Sequence, residues 1–255
     1  MQVASAWSYA RRDDGSRIEQ AVWRGDASPA LAAHFHNEVQ ITVVLTGVRR
    51  FLTPVGPIAA HAGDTLVIGP TVPHQALGLD TIGTVSLNLY LQLAADVLVA
   101  PRIHILPTPR WLEGGRAMDR DRLTDWVTDR VASTFAMAWS SEGAALAAFA
   151  AKTDLKIGAL ATLAGMTREG FTRRFHRIVG MTPHAYRVGI RLNAARALLA
   201  SDVSPAEAAA DAGFADQSHL GRAFRLYFGT TPNAYRRAMA NGGEGSVTFV
   251  PDTGV

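Results

Sequence analysis

The stretch Ala208–Arg237, AAADAGFADQSHLGRAFRLYFGTTPNAYRR, decides how this chain is read. Its alanine-rich start predicts a short helix ending at Gly213. Asp216 is placed to cap a second helix that turns Gln217, Ser218, His219 and Arg222 outward. Leu220, Phe224 and Phe228 recur every four residues, so they share one face and point into a core. Gly229 supplies a helix stop, and Thr231-Pro232 starts the next helix. Two helices joined by a tight turn, the second capped and polar outside, describe a helix-turn-helix.

Working backward, Ala161–Arg187, ATLAGMTREGFTRRFHRIVGMTPHAYR, repeats the pattern 49 residues earlier. Thr167 matches Asp216, Phe171 matches Leu220, Arg173 matches Arg222 and Phe175 matches Phe224. Gly180, Pro183 and Tyr186 match Gly229, Pro232 and Tyr235, while Gly165 and Gly213 differ by one residue in turn length. Two degenerate copies imply two related units, too few for a solenoid. Between them Pro183–Ala200 reads as one linking helix with Thr182 as its N-cap, and Ser204-Pro205-Ala206-Glu207 is a capping box with proline at the first helical position. Gly189 inside the linking helix costs about 1 kcal/mol relative to alanine unless a close contact needs it.

The string AGFADQSHLGRAF…YFGTTPNAYRR resembles the C-terminal DNA-binding domain of AraC/XylS-type transcriptional regulators, over about Gly143 to Met239. Charge placement agrees. Residues 152–237 hold 13 Lys/Arg against 6 Asp/Glu, a balance of +7, and the remainder is −4. A basic module beside an acidic one suits a polyanion bound by the first alone. The chain has no cysteine, which excludes disulfides and thiol chemistry. Its start, MQVASAWSYARRDDG, lacks the apolar run of a signal peptide, and Gly143–Ala151 is too short to cross a bilayer, so a cytoplasmic, membrane-free protein is expected.

Upstream, residues 1 to about 105 read as β-structure. Gln40–Thr46, Arg49–Leu52 and Thr65–Ile68 are short strands bounded by Gly and Pro turns. Val85, Leu87, Leu89, Leu91 and Leu93 alternate with polar neighbours, predicting one buried face. Many short strands with such turns suggest a closed double-sheet barrel. His34-Phe35-His36 followed by Gln40 and Gly47, and Gly63 followed by His74, resemble the two sequence motifs of cupins. That resemblance implies that His34, His36 and His74 fall at metal-binding histidine positions, with Gln40 where the family has glutamate. Gly69 and Gly78 stand where the second motif has proline and asparagine. Three imidazoles would suit Zn²⁺, Fe²⁺ or Ni²⁺; the alternative is that His34, His36, Gln40 and His74 line a metal-free effector pocket.

The expected fold is therefore α+β with two domains: a cupin-like effector-sensing barrel (1–105), a linker and dimerisation helix (106–142), an all-α tandem helix-turn-helix domain (143–239) and a flexible tail (240–255). In the linker Leu123, Trp126, Val127, Val131, Phe135 and Trp139 form an amphipathic stripe, which in the resembled family often mediates dimerisation. Asp154 is expected to cap Leu155–Ala164.

Roles follow from side-chain chemistry. Arginine bridges guanine O6 and N7, and glutamine bridges adenine N6 and N7. Arg173 and Arg222 are the expected base readers, with Arg168, Thr172, Gln217, Ser218 and His219 beside them. Glu169 accepts from cytosine or excludes phosphate. Lys156, Arg187, Arg191 and Arg236 are the phosphate candidates. The leading reading is a non-enzymatic, DNA-binding regulator, an activator by family habit. Its expected partners are operator DNA, a small-molecule effector, RNA polymerase and a second copy of itself. The competing reading is a metal-dependent cupin enzyme, a dioxygenase or isomerase, fused to a DNA-binding module.

Overall fold

The computed structural model of the chain describes residues 6–11, 19–25, 31–77, 84–91, 102–113, 120–133, 137–138, 140–151 and 155–240. The N-terminal part is made of strands β1 (Ala6–Arg11), β2 (Glu19–Gly25), β3 (Val39–Thr46), β4 (Val48–Thr53), β5 (Gly56–His61), β6 (Asp64–Ile68), β7 (Gln75–Ala76), β8 (Thr84–Leu91) and β9 (Arg102–Pro107). Helices α1 (Arg110–Glu113) and α2 (Arg120–Ser133) follow, then β10 (Met137–Ala138).

The strands form two antiparallel sheets, one ordered β1-β2-β8-β3-β6-β9-β10 and a smaller one ordered β5-β4-β7. The closed barrel expected from the turn pattern is not formed among the described residues. The large sheet ends in β1 and β10 and the small one in β5 and β7, and no strand of one sheet pairs with a strand of the other among the described residues. At the β3–β4 turn Gly47 has φ 73°, and a Cβ there would lie 2.4 Å from Thr84 Oγ1, so both the backbone and the space require glycine.

One face of the large sheet packs Val39, Ile41, Val43, Leu87 and Leu89 against Leu112, Leu123 and Val127 of α1 and α2. Trp126 meets Trp111 edge to face at 6.3 Å. The α2 stripe is thus absorbed by its own sheet at Leu123 and Val127. The helix stops at Ser133 rather than reaching Trp139, because Met137–Ala138 pair with β9 instead. Val131, Phe135 and Trp139 lie outside the residues whose side chains are described.

The opposite face meets the small sheet through Val44, Phe51, Leu66, Ile68 and Ala76. This corrects the expectation for β8. Its polar alternates Thr84, Ser86, Asn88 and Tyr90 are buried as well, so both faces are covered. Leu93 lies outside the described residues. Three of the inner polar residues are linked, since Gln40 Nε2 donates to Thr42 Oγ1 at 2.9 Å and Thr42 Oγ1 donates to Asn88 Oδ1 at 2.8 Å, whereas Thr84 Oγ1 and Ser86 Oγ have no partner among the described residues.

The C-terminal part is helical: α3 (Ser141–Ala151), α4 (Ile157–Leu163), α5 (Arg168–Val179), α6 (Pro183–Ala200), α7 (Pro205–Asp211), α8 (Gln217–Phe228) and α9 (Pro232–Ala240). The caps stand where the sequence places them. Thr167 accepts from Gly170 N at 3.1 Å, Asp216 from His219 N at 2.6 Å and Thr182 from Ala185 N at 3.2 Å. Ser204 and Glu207 complete the capping box. Gly180 and Gly229 end α5 and α8 in the left-handed conformation. Helix α4 begins at Ile157 without a side-chain cap; Asp154 lies outside the described residues.

Each helix-turn-helix has its own core. Leu160, Phe171, Phe175 and Val179 make one with Tyr186. Leu220, Phe224, Tyr227 and Phe228 make the other with Leu192, Leu199 and Tyr235. Helix α6 contributes to both and joins them as one rod.

That rod is also clamped to the strand domain. Phe35 enters the first helical core, stacked on Tyr186 at 4.6 Å between ring centroids. A Cβ on Gly189 would approach Phe35 Cε1 to 2.7 Å, which is the close contact that a mid-helix glycine requires. Asn193 Nδ2 donates to Phe35 O at 2.9 Å, and Ala32 N donates to Leu226 O at 3.1 Å.

Candidate functional site

The two capped helices α5 and α8 carry the expected readers. Arg168, Glu169 and Arg173 are exposed at the start of α5, and Thr172 turns its hydroxyl back to Arg168 O at 2.8 Å. Gln217, Ser218 and Arg222 are exposed on α8. His219 is half-buried, edge-on to Phe214 at 5.3 Å, so its ring is partly committed to the turn. Gly221 beside Arg222 has open space around it.

The phosphate candidates divide. Lys156 is exposed at the start of α4. Arg187 donates to Ala150 O at 3.0 Å and to Leu155 O, tying α6 to the end of α3. Arg191 donates to Gly213 O at 3.0 Å and lies over the Phe214 ring, 5.3 Å from its centroid. Arg236 pairs with Asp202 at 2.7 Å. Three of the four therefore brace helices and turns. Arg225, exposed near the end of α8, was not singled out in the sequence; only its spacing of three from Arg222 marked it.

A second site lies behind the readers, between the two parts of the chain. His34 and His74 are joined by a backbone bridge, and with His36 they bring one nitrogen each to within 4.8 Å of one another. All three side chains are buried. Gln40 lines the same cavity with Arg49, Asn88 and Tyr90, and the helical domain closes it with Tyr227 and Phe228. No local sequence signal marks Arg49, Tyr227 or Phe228 as lining residues. The space between them amounts to about 10 Å³, room for one water-sized occupant.

Hydrogen bonds fix the imidazole tautomers. His34 Nδ1 lies 2.8 Å from Ala32 O and His74 Nδ1 lies 3.0 Å from Val72 O. A carbonyl only accepts, so both Nδ1 atoms carry the proton and both Nε2 atoms keep a lone pair. His36 is the reverse. Arg196 Nη1 of α6 donates to its Nδ1 at 3.2 Å, and the same nitrogen pairs with Glu38 at 3.1 Å. His36 Nε2, His74 Nε2 and Gln40 Oε1 are buried without a hydrogen-bond partner among the described residues. Burial pushes His34 down to about 4 and His74 to about 3, and His36 well below its ordinary range, so all three are neutral at physiological pH. Arg196 further lies over Tyr90, 4.8 Å from that ring's centroid, and over Phe228 at 5.5 Å, locking helix to sheet.

A cation fits the chemistry of the three histidines, which are neutral, nitrogen-only donors. No carboxylate lines the cavity, and two guanidinium groups, Arg49 and Arg196, stand beside it.

Comparison with known proteins assigns the helical part. Residues 160–238 match the profile of a family described as "Helix-turn-helix domain". The transcriptional activator NphR of Rhodococcus sp. is 39% identical over 88 residues, 34% of this chain and 26% of that protein. The HTH-type transcriptional regulator MtrA of Neisseria gonorrhoeae is 35% identical over 85 residues, 33% of this chain and 28% of that protein. The matched stretch thus spans about a quarter of these relatives' length. The chain carries an AraC-type helix-turn-helix domain. The fold is similar to that of unsaturated-fatty-acid-bound ToxT from Vibrio cholerae, at a TM-score of 0.53 and 12% identity over 92% of this chain and 99% of that one. An N-terminal β-sheet domain precedes a C-terminal helical domain in this arrangement. No described helix is long and apolar enough to cross a membrane.

Proposed function

We propose that the chain is a sequence-specific DNA-binding regulator of transcription whose N-terminal domain adjusts the grip of the C-terminal one. One observation carries this reading: two capped helices with exposed arginines are held on a single rod. Helix α6 has 18 residues, about 27 Å at 1.5 Å per residue. Adjacent major grooves on one face of B-DNA lie roughly 34 Å apart. One chain therefore grips two neighbouring grooves, reading with Arg173 and Arg222 and anchoring on phosphate with Lys156.

The buried pocket supports the regulatory half. Helix α8 presents readers at its N-terminal end and the pocket walls Tyr227 and Phe228 at its C-terminal end. An occupant of the pocket touches the element that reads DNA. A ligand shifts a conformational equilibrium only by its differential affinity for the two arrangements, and contact with both domains supplies that difference. ToxT with its bound fatty acid, and NphR by its name as an activator, favour effector sensing and activation over a purely architectural role. An organic effector larger than water would need α6 and α8 to move away from residues 34–36, since the cavity as it stands is too small.

The test is binding of the purified chain to promoter-derived duplexes with Arg173→Ala and Arg222→Ala, each alone and together. Loss of preference at two base positions one helical turn apart is expected. Unchanged preference in the double variant would remove both helices from the role.

A further inference from the structure

One short segment of the strand domain lies across both helix-turn-helix units. Residues 31–38 precede β3 and run along α6. Ala33 packs against the first helical core and Phe35 enters it, while Ala32 packs against the second. The two units otherwise share only α6: among the described residues, no helix of α3–α5 packs extensively on a helix of α7–α9. A single shared helix leaves each unit free to rock about it. We propose that residues 31–38 are a strap that fixes the angle between the two reading helices, with Phe35, Asn193 and Arg196 as positioning residues, and that the docked arrangement is the one that reads DNA. This rests on the DNA-binding function proposed above and adds to it which arrangement is competent and which residues set the spacing.

The strap is fastened along one face of α6. Gly189, Asn193 and Arg196 are spaced by four and then three, which puts them in one row. At Gly189 the missing side chain makes room for the Phe35 ring. Asn193 Nδ2 donates to Phe35 O at 2.9 Å. Arg196 Nη1 donates to Glu38 at 3.1 Å and to His36 Nδ1 at 3.2 Å. Asn193 and Arg196 are both buried. A buried amide and a buried guanidinium are costly on a helix face unless they are bonded, so what they hold explains why they are there. Neither residue touches a reader.

The strand domain also meets the C-terminal end of each reading helix. Ala32 N donates to Leu226 O of α8 at 3.1 Å, and Arg196 lies over Phe228. At α5, a Cβ on the C-cap Gly180 would lie 3.5 Å from Pro54 Cγ in the β4–β5 turn. Helix α9 packs beside β1. The N-terminal turns stay open: Arg168, Glu169 and Arg173 on α5, and Gln217, Ser218 and Arg222 on α8, are exposed. Docking therefore covers no arginine reader while tying both helices to one rigid body. Inhibition by occlusion would need the strand domain at the other end of these helices. An effector that prises residues 34–36 from α6 acts by loosening the register of the two readers, and not by uncovering them.

Register can be read directly. One base pair inserted between the two parts of a bipartite site moves one part by about 3.4 Å and turns it by roughly 34°. A strapped pair of helices cannot follow that change and loses the base contacts of one part; a pair that rocks on α6 can follow it. The experiment measures binding of the full chain to its selected bipartite duplex and to the same duplex with one inserted base pair. The native chain should bind the inserted duplex at least about tenfold more weakly, whereas Arg196→Met and Asn193→Ala should bind the two duplexes within about threefold of each other. Preference at each base position should be retained in both variants, which a general loss of structure would not allow. A second measurement needs neither variant. The chain has no cysteine of its own, so Leu163→Cys and Asp211→Cys place one spin label on the exposed first helix of each unit. Their separation by double electron–electron resonance should be single, narrow and unchanged when duplex is added, and it should broaden in Arg196→Met. A separation that shifts on duplex binding overturns the proposal, whether or not the variants fold. So does a native chain indifferent to the insertion, or undiminished discrimination in both variants. A chain that selects no duplex at all sinks the regulatory reading; one that reads a bipartite motif with spacing untouched by the variants sinks this inference alone.

Discussion

Replacing Gly189 by alanine tests how the two domains are held together. A mid-helix glycine costs about 0.8–1 kcal/mol against alanine, so a helix considered alone is stabilised by the change. Here the new methyl would lie 2.7 Å from Phe35 Cε1, 3.2 Å from Cζ and 3.4 Å from Cδ1. The ring cannot swing aside, because it is 2% exposed and stacked on Tyr186. Overpacking of this kind costs roughly 1–3 kcal/mol, which outweighs the propensity gain. Gly189→Ala should therefore destabilise the full chain by up to about 2 kcal/mol. Phe35→Ala removes the obstruction and should itself cost roughly 3–5 kcal/mol. In that background Gly189→Ala should become stabilising by about 1 kcal/mol. The double-mutant cycle, run by urea denaturation followed at the helical circular-dichroism band, reads the sign reversal. If Gly189→Ala stabilises both backgrounds alike, Phe35 does not sit against α6 and the docking of the domains described above is wrong.

Stability should also depend on pH. The folded-state pKa values of His34 and His74 are lowered from 6.5 to about 4 and about 3. Below pH 6.5 the unfolded chain binds protons that the folded one refuses, so stability should be level above about pH 7. It should fall by about 1.4 kcal/mol per pH unit for each histidine as pH drops toward those values; identical urea midpoints at pH 7.5 and pH 5 would contradict this. Arg222→Ala should cost roughly 1–3 kcal/mol of operator binding and relax one base position, while Lys156→Ala weakens all duplexes alike and lowers the salt dependence. Equal, sequence-independent losses from both would show the readers misassigned. Ser204→Ala removes half of the capping box and should lower thermal stability by about 0.5–2 kcal/mol without changing base preference in a binding assay.

The helical domain was legible because its signals are local. Thr167, Thr182, Ser204 and Asp216 cap within three residues of themselves, and Leu220, Phe224 and Phe228 repeat at the period of the helix they build. The histidines were legible as a cluster from a motif resemblance, and the fold does bring all three together. What the sequence hid is long-range. Arg196 looks like any arginine on a charged helix, yet it is 3% exposed and reaches His36 across 160 positions. Phe228 read as a core residue of α8 and Tyr227 carried no signal, and nothing near them in sequence says that the core continues into a pocket. On β8 the alternation of polar and apolar residues implied a wet face, but a second sheet covers it, and Asn88 and Tyr90 become pocket wall. Barrel closure failed as an inference because turn spacing counts strands without saying which strands pair, and the described strands divide between two sheets.

In the function proposed above, one chain holds two reading helices at a fixed separation on α6. Selection of bound duplexes from a random pool by the purified chain, at physiological salt, is the decisive measurement. The expected result is a bipartite motif with its two parts one helical turn apart, one part weakened by Arg173→Ala and the other by Arg222→Ala. Recovery of no motif, with binding that simply fades as salt rises, would contradict it.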